Sequence, residues 1–114
     1  MKSTLSKTIN IKPVTEITLL VQAFDPIAHA FCLQLQRQGM VGRKLKIGVK
    51  DNEEWQGAEF DFIVWQYDKL IEQIGGNLAV MIDWTTVDAI HLSVSGIVPK
   101  EDVPHLGNPD LVAG

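Results

Sequence analysis

Cysteine is nearly absent from this 114-residue chain: Cys32 stands alone. No internal disulfide can form, and a cytoplasmic setting, which is reducing, suits that usage. Long apolar runs are missing too. Leu19–Phe24 and Leu78–Ile82 are the longest candidates, far short of the roughly 18–20 residues that cross a bilayer. No signal-peptide stretch follows Met1-Lys-Ser-Thr4, so no membrane partner is expected. Aromatic side chains are few, at 7%, which leaves Trp55, Trp65, Tyr67 and Trp84 as the groups to weigh as stacking platforms. Trp55 is flanked by acids, an awkward place for a nucleic-acid contact, and Trp65 alternates with Ile63, which suggests the core; base stacking is the minor reading for each.

Enzyme signatures are lacking as well. Gly39 and Gly42 have no Gly-Lys-Ser/Thr ending, and Gly75-Gly76 follows no strand, which excludes a phosphate-binding loop. Ser93-Val94-Ser95-Gly96 lacks the first glycine of a nucleophile elbow. His29 and Cys32 lie three apart on one helix, but two ligands do not make a metal site. Asp51, Glu53, Glu54, Glu59 and Asp61 match no calcium-loop spacing and read as a solvated hairpin tip. No catalytic residue, cofactor or metal is expected.

What the chain does have is sorted charge. Residues 1–50 carry eight basic side chains (Lys2, Lys7, Lys12, Arg37, Arg43, Lys44, Lys46, Lys50) against Glu16 and Asp25. Residues 51–114 carry Lys69 and Lys100 against twelve carboxylates. The halves sum to +6 and −10, giving the net of −4. Such a split fits one surface attractive to a polyanion and another that repels it, and equally two faces that are simply solvated. The length suits one domain, and an apolar fraction of 46% excludes a disordered chain.

Periodicity outlines the elements. Residues 3–12 alternate through Leu5, Lys7, Ile9 and Ile11 as an edge strand that Pro13 ends. Residues 15–24 fit either a helix start or a strand extension. Asp25-Pro26 predicts a helix start, followed by an apolar stripe at Ile27, Phe31 and Leu35 and a left-handed cap at Gly39. Arg43–Lys50 alternates strictly, with Leu45, Ile47 and Val49 on one side and Lys44, Lys46, Gly48 and Lys50 on the other. Phe60–Trp65 resumes as the partner strand of a hairpin. Tyr67–Ile74 is helix-like and Gly75-Gly76 is expected to interrupt it; residues 75–88 stay open between helix and strand. Ala89–Val98 is the last strand, and the proline-bearing residues 99–114 are expected to be an extended tail.

The lysine-bearing strand has two readings. Lys44, Lys46 and Lys50, with Arg43 and Arg37 beside them, can line up against consecutive phosphates. Equally, lysines can protect an exposed sheet edge from aggregation.

The run Leu33-Gln-Leu-Gln-Arg-Gln-Gly-Met-Val-Gly-Arg-Lys-Leu-Lys-Ile-Gly-Val-Lys50 resembles the centre of the C-terminal little finger domain of Y-family translesion DNA polymerases. Lys2-Ser-Thr-Leu-Ser-Lys-Thr-Ile9 looks like that family's first strand and Ile90-His-Leu-Ser-Val-Ser-Gly-Ile-Val98 like its closing strand. The resemblance covers residues 2–98 and implies an α+β domain, βαββαβ, with a four-stranded sheet packed on two helices. It implies a non-catalytic role in lesion-bypass DNA repair, gripping the backbone of duplex DNA without reading sequence. Carried over by position, the phosphate contacts are Ser3, Ser6, Lys7, Thr8, Lys44 and Lys46; the basic strand adds Arg43 and Lys50. Glu53–Asp61 carries acids where the family's third strand usually presents Ser, Thr and Arg. A different class of function fits that segment: a small acidic interaction module, of inhibitor or immunity type, that uses the 51–61 hairpin against a basic protein partner.

Overall fold

Alternating apolar side chains give the strands a helix-covered side, and the sheet forms accordingly. The computed structural model describes residues 4–80 and 85–103; Ser3 and Trp84 lie outside them. The elements run β1 (Thr4–Val14), α1 (Ile17–Gln38), β2 (Met40–Asp51), β3 (Glu54–Val64), α2 (Tyr67–Val80), β4 (Val87–Ser95) and a short β5 (Val98–Pro99). The sheet order is β1-β4-β2-β3 with antiparallel neighbours, and β5 pairs with the start of β2 at Met40 and Val41. This is the expected α+β arrangement: one open sheet, both helices on one side. Leu45, Ile47 and Val49 of β2 and Ile90, Leu92 and Val94 of β4 are fully buried beneath Leu20, Phe24, Leu35, Leu70, Ile74 and Leu78 of the helices.

Three local expectations fail for stated reasons. Asp25-Pro26 does not start α1; the helix begins at Ile17 and runs through Pro26. An interior proline costs about 3 kcal/mol. Burying Leu20 and Phe24 completely returns roughly 1.5–3 kcal/mol for each side chain, which matches or exceeds that cost. Asp25, free of capping duty, accepts a hydrogen bond from the Tyr67 hydroxyl of α2. An 18-residue window of the 22-residue α1 has mean hydropathy 1.2, enough in length and apolarity for a membrane-crossing helix, yet its apolar stripe here packs on the sheet.

Gly75-Gly76 does not interrupt α2, which continues to Val80. Two glycines cost about 1 kcal/mol each in a helix interior. The four-residue spacing of the buried Leu70, Ile74 and Leu78 outweighs them. Residues 75–80 are therefore helical and Val87–Ser95 is strand, while 81–84 lie outside the described residues.

Pro13 does not end β1. The strand runs to Val14 with a register irregularity after Asn10, which an edge position tolerates because one side of the strand needs no N–H donor. The C-cap at Gly39 forms as expected, with φ 64° and its N–H on the Gln36 carbonyl at 3.2 Å. Beyond β5, Lys100–Asp102 makes one 3-10 turn and Val103 is buried.

Candidate nucleic-acid interface

The registers of the sheet stack its outward side chains into rows. Reading from β1 through β4 and β2 to β3, the rows are Thr4–Ser95–Lys44–Asp61, Ser6–Ser93–Lys46–Glu59, Thr8–His91–Gly48–Gly57 and Asn10–Ala89–Lys50–Trp55. The intervening row Leu5–Val94–Leu45–Phe60 points to the helices, since successive strand residues alternate faces and Leu45 and Val94 are core. Among the described residues no helix covers the outward rows.

The expected phosphate contacts divide on this face. Ser6, Thr8, Lys44, Lys46 and Lys50 come together on it. Lys7 does not: it shares a row with the buried Leu92 and Ile47, on the helix side, exposed at the sheet edge. Its place in the apolar phase with Leu5 and Ile9 was the sequence signal for this. Arg43 falls at a register shift between Gly42 and Lys44. A Cβ on Gly42 would collide with Val94 Cγ1, and the Arg43 side chain lies beside Gly96 at the end of β4, off the rows.

Carboxylates enter the same face. Lys46 is directly opposed by Glu59, and Lys44 Nζ approaches Asp61 Oδ1 at 3.9 Å with both side chains largely exposed. An exposed pair of this kind contributes about 0–1 kcal/mol. Three lysines against two acids leave the four rows with one net positive charge. The hairpin tip expected of the acids holds for Asp51, Glu53 and Glu54 but not for Glu59 and Asp61. The turn is only Asn52-Glu53, both at positive φ (52° and 68°), and Glu59 and Asp61 lie in the body of the edge strand β3.

Asp51 is withdrawn from any surface. It is buried and accepts hydrogen bonds from the Thr85 N–H at 2.6 Å, the Thr85 hydroxyl at 3.2 Å and the Thr86 N–H at 3.3 Å. Those donors hold its pKa below the usual carboxylate value, the Thr85 amide foremost, against an opposing contribution from burial. Asp51 therefore ties the end of β2 to the start of β4, and the acidic surface of the hairpin reduces to Glu53, Glu54, Glu59 and Asp61.

In the third row the expected contact Thr8 meets a partner, His91, that sequence reasoning did not pick out. His91 Nδ1 lies 2.7 Å from Thr8 Oγ1. Burial and then the Lys46 charge hold this histidine below its ordinary pKa. Gly48 and Gly57 leave a bare patch beside it, floor to a shallow concavity of about 560 Å³ with Trp55 at one margin. Trp55 is exposed on this face because the two-residue turn pairs it with Lys50. The alternation Trp55, Gly57, Glu59, Asp61 was legible once that turn length was known.

The His29 and Cys32 pair forms no site. His29 stacks on Tyr67 with centroids 4.4 Å apart. Cys32 is buried, its thiol pushed up to about 11 by burial and by Asp68. Among the described residues no cluster of three His, Cys, Asp or Glu is placed to hold a metal ion.

An open antiparallel sheet in the order β1-β4-β2-β3 on two helices has counterparts among solved structures. The post-insertion binary complex of Dbh DNA polymerase matches with a TM-score of 0.69 at 7% identity, over 84% of this chain and 29% of that one. A complex of the β-clamp processivity factor with the little finger domain of PolIV matches at 0.66 and 8%, over 81% of this chain and 86% of that one. The fold is that of the Y-family little finger domain. A Y-family polymerase chimera of Dbh agrees, at 0.69 and 8%, over 87% of this chain and 30% of that one. This chain spans under a third of the length of the two Dbh polymerase chains it matches. No protein-family model and no curated protein matches the sequence.

Proposed function

We propose that the open face of β1, β4 and β2 rests on the phosphate backbone of duplex DNA, as a non-catalytic domain of, or related to, a lesion-bypass DNA polymerase. The observation that supports this is the repeated hydroxyl–hydroxyl–lysine row: Thr4–Ser95–Lys44 and, two residues along, Ser6–Ser93–Lys46. At about 3.3 Å per strand residue the rows recur every 6–7 Å, on the order of two 3.4 Å phosphate steps along a duplex. Hydroxyls and ammonium groups contact phosphate oxygens without reading bases. Occurrence of the same fold in DNA polymerases agrees with this reading. Polymerisation itself would belong to other domains.

With Lys7 and Arg43 off the rows, the contact shrinks to Lys44, Lys46 and Lys50. Three neutralised phosphates give a log–log salt slope of about −2.7. Fluorescence anisotropy of a labelled primer–template duplex, titrated from low to moderate salt, measures it. Absence of binding at low salt ends the proposal. Binding to a basic protein instead, lost when Glu53, Glu54 and Glu59 become alanine, would establish the acidic-module alternative. Complex formation between a little finger domain and a protein partner has a precedent in the PolIV structure.

A further inference from the structure

Among the described residues Trp55 is the only Phe, Tyr or Trp that is exposed, with 50% of its surface accessible. A single exposed apolar side chain is ordinary on a protein surface; what distinguishes Trp55 is where it lies. Its surroundings are specific. The indole lies over Gly48, with Cε3 3.6 Å from where a Cβ on that glycine would sit; His91 Cβ lies 3.4 Å from the same point. Gly57 is directly opposite Gly48, so the side-chain layer is missing across two adjacent strands. The resulting concavity of about 560 Å³ falls within the roughly 300–1,000 Å³ of small-ligand sites.

Charge identifies the occupant. Lys50 and Lys46 stand in the rows on either side of the Gly48–Gly57 gap, where they would meet phosphates flanking whatever enters it. Glu59, beside Lys46, also lines the gap. A carboxylate repels a bare anion but accepts hydrogen bonds from the exocyclic amine of cytosine, adenine or guanine. A flat ring carrying an amino edge, joined on both sides to phosphates, is an unpaired nucleotide within a strand. Bases inside a duplex are already stacked and cannot reach the indole.

We infer that Trp55, over the Gly48–Gly57 floor, forms a stacking subsite for one unpaired nucleobase of a single-stranded stretch, with Lys46 and Lys50 holding its flanking phosphates. This rests on the reading of the face as a nucleic-acid surface and adds a single-strand component to it.

The test compares three ligands of about 12 nucleotides: single-stranded oligodeoxycytidine, a blunt duplex, and an abasic strand with the same phosphates. Stacking on an aromatic side chain changes affinity about tenfold or more per base. Trp55→Ala should weaken oligodeoxycytidine about tenfold, leave the duplex within about twofold, and bring oligodeoxycytidine down to the abasic level. Trp55→Phe should recover most of the loss, which a mere folding defect would not allow. Equal losses on duplex and single strand, or no loss on either, overturn the stacking subsite while the backbone contact stands. If no ligand binds the unaltered protein, the phosphate reading falls and the subsite falls with it.

Discussion

Replacing Gly76 by alanine should stabilise the protein, although the Gly75-Gly76 pair looks like a helix break. Gly76 lies inside α2, is exposed, and among the described residues has nothing within 4 Å of the position an added Cβ would take. The substitution therefore meets no steric cost. It removes backbone freedom from the unfolded chain and supplies the helix propensity that glycine lacks, together about 1 kcal/mol. For a domain of this size that amounts to a rise in Tm of about 3–6 °C. In urea the midpoint should move up by about 0.5 M, given a slope of about 2 kcal/mol/M. Gly39→Ala is the counter-control. Gly39 holds the α1 cap at φ 64°, so the same chemical change there should destabilise by about 1 kcal/mol. Paired urea titrations with a shared slope decide the matter. A Gly76→Ala midpoint at or below that of the parent would show that the chain bends at residues 75–76 and that the continuous α2 is wrong.

Other expectations follow from particular contacts. Glu53 sits at φ 68° in a turn whose two central residues both have positive φ, so Glu53→Gly should raise stability by about 1 kcal/mol in the same titration. Asp51 has a lowered pKa in the folded state, so its contribution is present above its ordinary value of 3.8 and is lost as pH falls through the folded value. Asp51→Asn should be less stable than the parent near pH 7, with the gap closing below about pH 4 in thermal melts; a constant gap would contradict the hydrogen bonds to Thr85 and Thr86. Glu59→Gln with Asp61→Asn should tighten duplex binding about fivefold at low salt and much less at high salt, because these carboxylates face Lys46 and Lys44 and exposed charges are screened.

The strands were largely legible in the residues because they alternate cleanly, while their βαββαβ arrangement was what the little-finger resemblance implied. Leu45, Ile47 and Val49 against Lys44, Lys46 and Lys50 announce one buried and one open side, and the buried triplet is indeed core. Boundaries were misjudged where a local breaker is overruled by distant packing. Pro26 and Gly75-Gly76 both carry helix-breaking chemistry, but Phe24 and Ile74 are fully buried within the same helices. The candidate site was half visible. Period two assigns Lys44, Lys46 and Lys50 to one face without coordinates, and the same rule, applied to Lys7, removes it. Trp55 and Asp51 were hidden for another reason. Their roles depend on how long the turn between β2 and β3 is and on where Thr85 arrives, both long-range facts. A hairpin of two turn residues turns an apparent acidic loop into a strand that brings carboxylates opposite lysines.

The most direct test of this face is to set Lys46→Ala beside Lys7→Ala in salt titrations of duplex binding. Lys46 occupies an outward row and Lys7 the helix side. Losing Lys46 should flatten the log–log slope by about 0.9, the share of one phosphate contact, while losing Lys7 leaves the slope unchanged. Equal flattening by both, or flattening by Lys7 alone, would place the nucleic acid somewhere other than the open sheet.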